Sequence, residues 1–162
     1  MKVALISDIH DRTNNLLAAL CMAKRERCEH LLCMGDFVSL ETFHLLIAEW
    51  DGPVDAVFGN NEYDRKSFLM MAQRAPKVEL HGDVGSVDLD GKRIAMTHFP
   101  AQAMKLAESG KYDAVFFGHT HEAESFRLGA CLMVNPGELQ GRRRAGFAVY
   151  DTDDDSVRFR FL

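Results

Sequence analysis

The chain has 162 residues, 47% of them hydrophobic and 27% charged, which fits one ordinary globular domain spanning residues 1–162. The net charge of −5 argues against a nucleic acid or an anionic membrane as partner. No apolar run reaches the roughly 20 residues that a membrane helix requires, and the N-terminus lacks a signal-peptide pattern, so we expect no membrane association and a cytoplasmic location.

The first half of the chain alternates predicted strands and helices. Continuous apolar runs predict buried parallel strands over residues 3–7, 31–34 and 54–58. Helices are predicted over 14–27, 40–49 and 67–74. Thr13 or Asn14 is expected to cap the first helix, and Pro76 follows the end of the third.

The second half contains more strands. Segments 86–89 and 93–96 flank Asp90-Gly91, a strong hairpin signal. A helix over 101–109 is expected to stop at Gly110, with further strands over 114–117, 123–128, 131–134, 147–150 and 157–161. Helices outside mixed sheets predict a layered α/β sandwich.

Five predicted strands are each followed directly by residues that bind metals. The five motifs are Asp8-Ile9-His10, Gly35-Asp36, Gly59-Asn60-Asn61-Glu62, Thr97-His98 and Gly118-His119-Thr120-His121. In layered α/β folds, ligands gather beyond the carboxyl ends of strands. We therefore expect all five motifs to converge on one edge.

The spacing within the motifs suits two metal ions. Asp8 and His10 are two residues apart and can share one ion, and His119 and His121 have the same spacing. Asp36 is expected to bridge two ions. Asn60 and His98 would complete the second site, whereas His30, His44 and His81 are expected to be structural or surface residues.

Charge then predicts the substrate class. With two divalent ions, two aspartates and a bridging hydroxide, the centre keeps a net positive charge, which favours a phosphate ester. The hydroxide would serve as the nucleophile. Nitrogen and oxygen ligands without a thiolate suit Mn, Fe, Ni, Co or Zn.

The order of these motifs resembles the calcineurin-like metallophosphoesterase superfamily. Together with Asn135-Pro136-Gly137-Glu138, the motifs are similar to those of its small single-domain bacterial and archaeal phosphodiesterases. The resemblance implies a four-layer αββα sandwich of two mixed β-sheets flanked by helices. It also implies a binuclear centre with manganese as the favoured metal, and a homodimer or homotetramer.

The resemblance also assigns the ligands. One metal would take Asp8, His10, Asp36 and His121, and the other Asp36, Asn60, His98 and His119. The implied activity is hydrolysis of small phosphate diesters. Asp8, Asp36, Asn60 and His98 would act in catalysis through the metals and the bridging hydroxide.

Asn61 restricts the range of phosphate esters that we expect the chain to hydrolyse. Many superfamily members have a histidine here that is thought to protonate the leaving oxygen, and a neutral carboxamide is no general acid. Asn61 is therefore expected to orient substrate, in a phosphodiesterase that favours good leaving groups. A phosphomonoesterase or nucleotide hydrolase with the same centre is one alternative. A non-catalytic protein-interaction scaffold of the same fold is another, which the complete ligand set disfavours.

Two arginines are candidate substrate contacts. Arg65 follows the third motif closely and is predicted to orient a phosphate oxygen. Arg143, within Arg142-Arg143-Arg144, is a candidate to hold further substrate phosphates or a nucleotide, although the sequence favours a solvated loop that balances an acidic protein. Glu62 is expected to fix its loop or a ligand histidine as an outer-shell acceptor.

Overall fold

The structure, a computed structural model, describes residues 1–162. It contains eleven strands and four helices, in an order that alternates through the first half and is richer in strands in the second. The elements are β1 (Lys2–Ile6), α1 (Thr13–Arg25), β2 (His30–Cys33), α2 (Leu40–Glu49), β3 (Val54–Ala56), α3 (Arg65–Gln73), β4 (Val78–Leu80), β5 (Val84–Leu89), β6 (Lys92–Thr97), α4 (Pro100–Glu108), β7 (Ala114–Phe116), β8 (Ala123–Leu128), β9 (Cys131–Pro136), β10 (Gly146–Asp151) and β11 (Ser156–Phe161).

The strands form two mixed sheets. The six-stranded sheet has the order β11-β10-β1-β2-β3-β4, in which β1 to β4 run parallel and β10 pairs antiparallel with β1. The five-stranded sheet has the order β5-β6-β7-β9-β8, with a parallel centre of β6, β7 and β9. Each sheet thus has parallel strands whose carboxyl ends share one edge.

Three apolar cores separate four layers. Helices α1, α2 and α3 pack on the outer face of the six-stranded sheet, around residues such as Phe37 and Phe43. A second core, including Leu5 and Phe116, fills the space between the sheets, and a third lies between the five-stranded sheet and α4. The predicted αββα sandwich is confirmed.

Local signals predicted most elements but not every boundary. The β5–β6 hairpin turns at Asp90 and Gly91, both with positive φ, as predicted. The predicted cap of α1 is wrong. Thr13 is the first helical residue and Arg12 the N-cap, which makes no side-chain hydrogen bond because a guanidinium has no acceptor atom for the helix amides. Strand β4 was not predicted; it has three residues and lies at an edge.

None of the four helices is both long and apolar enough to traverse a bilayer.

Candidate metal centre

The five motifs predicted to bind metal meet at one edge of the sandwich. They follow β1, β2 and β3 of the first sheet and β6 and β7 of the second. Side chains from different motifs approach within 3.0 to 3.6 Å of one another. The predicted convergence of all seven candidate ligands is therefore observed: Asp8, His10, Asp36, Asn60, His98, His119 and His121.

Asp8 is the buried centre of the first group. Its Oδ2 accepts hydrogen bonds from Ser7 Oγ at 2.6 Å and from the His119 amide at 3.0 Å. Its Oδ1 lies 3.2 Å from Nε2 of His121 and 3.8 Å from Nε2 of His10, and has no hydrogen-bond partner although it is buried. A buried, unpartnered carboxylate oxygen beside two imidazoles is what a cation site requires.

Glu138 fixes the orientation of His121. The two residues join through His121 Nδ1 and Glu138 Oε2 at 2.6 Å, and a carboxylate can only accept there, so Nδ1 carries the proton. In the neutral ring, Nε2 then presents a lone pair to Asp8 Oδ1. Two acceptor atoms 3.2 Å apart repel unless a cation or a proton lies between them.

Asp36 connects the two groups. Its Oδ2 lies 3.3 Å from Nε2 of His10 and 3.6 Å from Nε2 of His98, which belong to different predicted sites. Asn61 donates its amide Nδ2 hydrogen to the same oxygen at 2.7 Å and its backbone amide hydrogen to Oδ1 at 3.0 Å. The carboxylate thus occupies the position that a bridging ligand needs.

The second group contains further acceptor atoms that face one another. His98 donates from Nδ1 to the Met34 carbonyl at 2.7 Å, which leaves a lone pair on Nε2 of the neutral ring. That atom lies 3.0 Å from Asn60 Oδ1, and His119 Nδ1 lies 3.1 Å from the same oxygen. The donor set therefore fits a second cation.

Protons occupy some of this space when metal is absent. The neighbouring carboxylates of Asp36 and Asp8 raise the pKa of His10 to about 9, and Asp8 also raises the pKa of His121. Burial disfavours the charged form of Asp8, but the nearby imidazoles of His10 and His121 outweigh it and hold its pKa well below its usual range. The aspartates stay ionised and attract cations.

Strained backbone places the ligands. Five of the seven candidate ligands have φ between 47° and 72°, in the left-handed region that non-glycine residues seldom adopt: Asp8, His10, Asp36, His119 and His121. Two glycines permit the close approach of the loops. A Cβ at Gly59 would overlap Asp36 Oδ1, and one at Gly118 would overlap Ser7 Oγ. Strain of this kind is typical of functional sites.

Glu62 holds the Asp36 and Asn60 loops together. The carboxylate is buried and accepts backbone amides of Gly59 at 2.6 Å, Val38 at 2.8 Å and Asp36 at 3.3 Å. Burial raises its pKa. Of its two expected roles, the structure supports loop fixation, because no ligand histidine contacts it.

The two arginines predicted to contact substrate make ion pairs with other residues of the protein. Arg65 pairs with Asp83 at 2.7 Å and stacks on Phe58 at 4.7 Å, so its contacts anchor a loop and do not support its predicted role at phosphate. Arg143 forms an exposed ion pair with Glu122. It nevertheless lines a cleft of about 420 Å³ with Arg142 and the His119–His121 segment.

Sequence reasoning missed two contributors. Glu138 was noted only as part of a motif, and its position directly after β9 was the signal that it belonged at the same edge. Phe99 packs edge-on against His98 and His119, with ring centroids 5.1 and 5.0 Å apart. Phe99 directly follows His98 in the chain, and that adjacency was the signal for its place beside the candidate ligands.

The fold and this donor set define a metal-dependent phosphoesterase. The family model described as the calcineurin-like phosphoesterase superfamily domain matches residues 1–155, and the chain belongs to this superfamily. The superfamily predicted from the strand-end motifs is thereby confirmed, as is its hydrolase class.

Individual relatives agree with this assignment. The chain is 32% identical over 146 residues to Phosphodiesterase MJ0936 of Methanocaldococcus jannaschii, covering 87% of this chain and 86% of that one. It is 30% identical over 169 residues to the probable metallophosphoesterase YsnB of Bacillus subtilis, covering 99% and 90%. These relatives match the predicted small bacterial and archaeal subfamily.

Solved structures share the fold. A structure described as a novel archaeal phosphodiesterase superposes with a TM-score of 0.93 at 28% identity over 100% of both chains. Vps29 of Chaetomium thermophilum superposes with a TM-score of 0.71 at 15% identity, covering 100% of this chain and 97% of that one. The second likeness concerns the fold alone.

Proposed function

We propose that the chain is a phosphodiesterase with a binuclear metal centre that hydrolyses small phosphate diesters. One ion would be held by Asp8, His10, Asp36 and His121, and the other by Asp36, Asn60, His98 and His119. The observation that carries this is the 3.2 Å approach of the unpartnered Asp8 Oδ1 to His121 Nε2, two acceptor atoms that each present an unshared lone pair. When bound, the ions would supply a bridging hydroxide as nucleophile.

The protein's own contribution is to position ligands and attract the anionic diester. Asp8 and Asp36 are almost completely buried, so their charges act in a low dielectric and hold divalent cations strongly. Two divalent ions exceed the two aspartates and one hydroxide in charge, and the remaining positive charge favours a phosphate. Glu138, Met34 and Glu62 keep these ligands oriented through hydrogen bonds.

Asn61 supports a diester substrate with a good leaving group. One Nδ2 hydrogen is donated to Asp36, and the second is available to a phosphate oxygen. The amide has no proton to transfer, so the leaving oxygen departs as an anion. This favours aryl and other activated esters over alkyl ones.

Manganese is the metal that the family resemblance favours, and the donor chemistry also admits Ni, Fe, Co or Zn without choosing among them. Four imidazoles with carboxylate and amide oxygens, and no thiolate, form a set of intermediate softness. A binding titration of the chelator-treated protein with each metal ranks the metals by affinity independently of activity.

Substrate profiling tests the proposal. The metal-free protein would be reconstituted with Mn, Ni, Zn, Fe or Mg and assayed on bis(p-nitrophenyl) phosphate and p-nitrophenyl phosphate. We expect hydrolysis of the diester to exceed that of the monoester and to disappear in His98→Asn. The exposed His44 provides the matched control variant His44→Asn, which retains activity. Faster monoester hydrolysis would favour the phosphomonoesterase alternative.

The scaffold alternative makes a different prediction. A scaffold needs no bound metal, so His98→Asn would leave its properties unchanged and no substrate would be hydrolysed. The Vps29 structures share the fold with this chain, but the complete set of seven converging candidate ligands favours catalysis. The homodimer or homotetramer and the cytoplasmic location stay predictions.

A further inference from the structure

Three consecutive arginines beside the candidate metal centre have three different environments. The Arg144 guanidinium lies 3.8 Å from the centroid of the Phe161 ring, on the side of β11. Arg143 pairs with Glu122. Arg142 makes neither an ion pair nor a side-chain hydrogen bond, and it faces a cleft. Arg142 is exposed and has no protein partner, so its guanidinium is free to bind an anion in the cleft.

The cleft shares two candidate ligands, His119 and His121, with the candidate metal centre. It is lined only by polar residues, His119, Thr120, His121, Arg142 and Arg143, and has a volume of about 420 Å³. That volume is in the range of small-molecule sites. Because His119 and His121 form one wall, a group attached to a phosphate at the centre can extend along the cleft to the arginines.

Glu138 fixes the arginine loop relative to the centre. One carboxylate oxygen bonds His121 Nδ1 at 2.6 Å, and the other accepts the Arg143 backbone amide at 2.5 Å. Glu138 is fully buried, so this double contact is shielded from water. The distance between the cleft and the candidate ligands is thereby held constant, as a two-point binding site requires.

Glu122 competes for one of the two arginines. Its ion pair with Arg143 is largely exposed, with 62% and 56% of the two side chains accessible. Exposed ion pairs are weak, and a phosphate dianion is a better partner for two guanidinium groups than a single carboxylate. Arg143 can therefore exchange Glu122 for a substrate phosphate.

We propose that this cleft binds a second phosphate group of the substrate, with Arg142 as its main contact and Glu122 as a competitor for Arg143. The preferred substrate class is then a diester whose organic group carries an additional phosphate monoester. This inference rests on the proposed function, because the scissile phosphate must occupy the metal centre.

A matched pair of substrates tests the inference. Thymidine 5′-(p-nitrophenyl phosphate) and its 3′-phosphorylated form differ only in the second phosphate and release the same nitrophenolate. We expect kcat/KM to be about tenfold higher for the 3′-phosphorylated form, as for one charge-assisted contact. The ratio should fall to about one in Arg142→Ala, rise in Glu122→Gln and stay unchanged in the distant control Arg74→Ala.

Binding provides a second readout that does not depend on turnover. The affinities of thymidine 3′,5′-bisphosphate and thymidine 5′-monophosphate for the manganese-loaded protein would be compared by calorimetry. A preference for the bisphosphate that Arg142→Ala removes supports the site. Equal affinities, or equal kcat/KM for both esters in the wild type, would overturn it while leaving the proposed diesterase intact. Failure to hydrolyse either ester contradicts the proposed function instead, and the calorimetric comparison still decides on the cleft.

Discussion

Nδ1 of His121 lies 2.6 Å from a carboxylate oxygen of Glu138, a residue with no exposed surface. This contact sets the tautomer of the imidazole and aims Nε2 at Asp8. The same carboxylate also binds the backbone of Arg143. One buried residue therefore organises both the candidate metal centre and the arginine loop beside it.

Replacing Glu138 with glutamine should weaken metal binding. The amide can no longer enforce the Nδ1-protonated ring, and loss of such an outer-shell partner typically costs about 10–100-fold in metal affinity. Calorimetric titration of the metal-free protein with Mn²⁺ measures the metal affinity. Glu108→Gln, at an exposed position of α4, is the control. Unchanged affinity in a folded Glu138→Gln variant would contradict the positioning role.

The leaving group should control the rate of the wild-type enzyme. Methyl p-nitrophenyl phosphate offers one good and one poor leaving group in the same molecule. Since Asn61 has no proton to transfer, we expect nitrophenolate release to exceed methanol release by at least about 10²-fold, the contribution typical of a general acid. Quantifying both products in one reaction checks this, and comparable amounts of the two would show that another group supplies the proton.

Restoring a histidine at position 61 should extend the substrate range. Asn61→His places an imidazole where a leaving oxygen would depart, and we expect phosphomonoester hydrolysis to rise about tenfold or more. Asn61→Gln keeps an amide and serves as the matched control. Metal content must be measured in parallel, because Asn61 also donates to Asp36. No gain in a fully metallated Asn61→His variant would argue against the missing-acid explanation.

A buried charge network between the sheets should make stability depend on pH. Asp55 lies 2.6 Å from Nε2 of both His30 and His81. Burial opposes the charged form of Asp55, but the two imidazoles lower its pKa to about 2, and the carboxylate raises the pKa of His81. Asp55 thus stabilises the fold above its unfolded pKa of about 4, and this is lost as the pH falls towards 2.

His81 sets the upper limit of the same window. Because the pKa of His81 is raised in the folded state, its contribution to the free energy of unfolding is complete below about pH 6.5. This contribution is lost as the pH rises through the pKa of the folded protein. Asp55→Asn should therefore lower the free energy of unfolding by on the order of 3 kcal/mol from about pH 4 to 6.5, and by less at alkaline pH. Urea unfolding across this range measures it, with the exposed Asp88→Asn as control. A pH-independent difference would exclude the network.

Much of the site could be predicted because its signals are local. Each metal-type motif directly follows an apolar run, and the carboxyl ends of parallel strands meet at one edge whatever the details of packing. The hairpin at Asp90-Gly91 was equally local. Convergence of the seven candidate ligands therefore required only the order of strands and motifs.

Partners distant in sequence explain what was missed. Arg65 forms an ion pair with Asp83, and Arg144 stacks on the Phe161 ring. No local sequence pattern specifies either contact. The role of Glu138 depends on β7 and β9 being neighbours in the sheet. Strand β4 has only three residues, none of them fully buried, so it shows no recognisable alternation of apolar and polar residues.

The most direct test is to titrate the metal-free protein with Mn²⁺ while following both binding and hydrolysis of bis(p-nitrophenyl) phosphate. A binuclear centre predicts saturation at two ions per chain, with activity rising only as the second ion binds. In Asp36→Asn, both the binding of two ions and the hydrolysis should be lost. Full activity at one ion per chain, or hydrolysis that persists without metal, would contradict it.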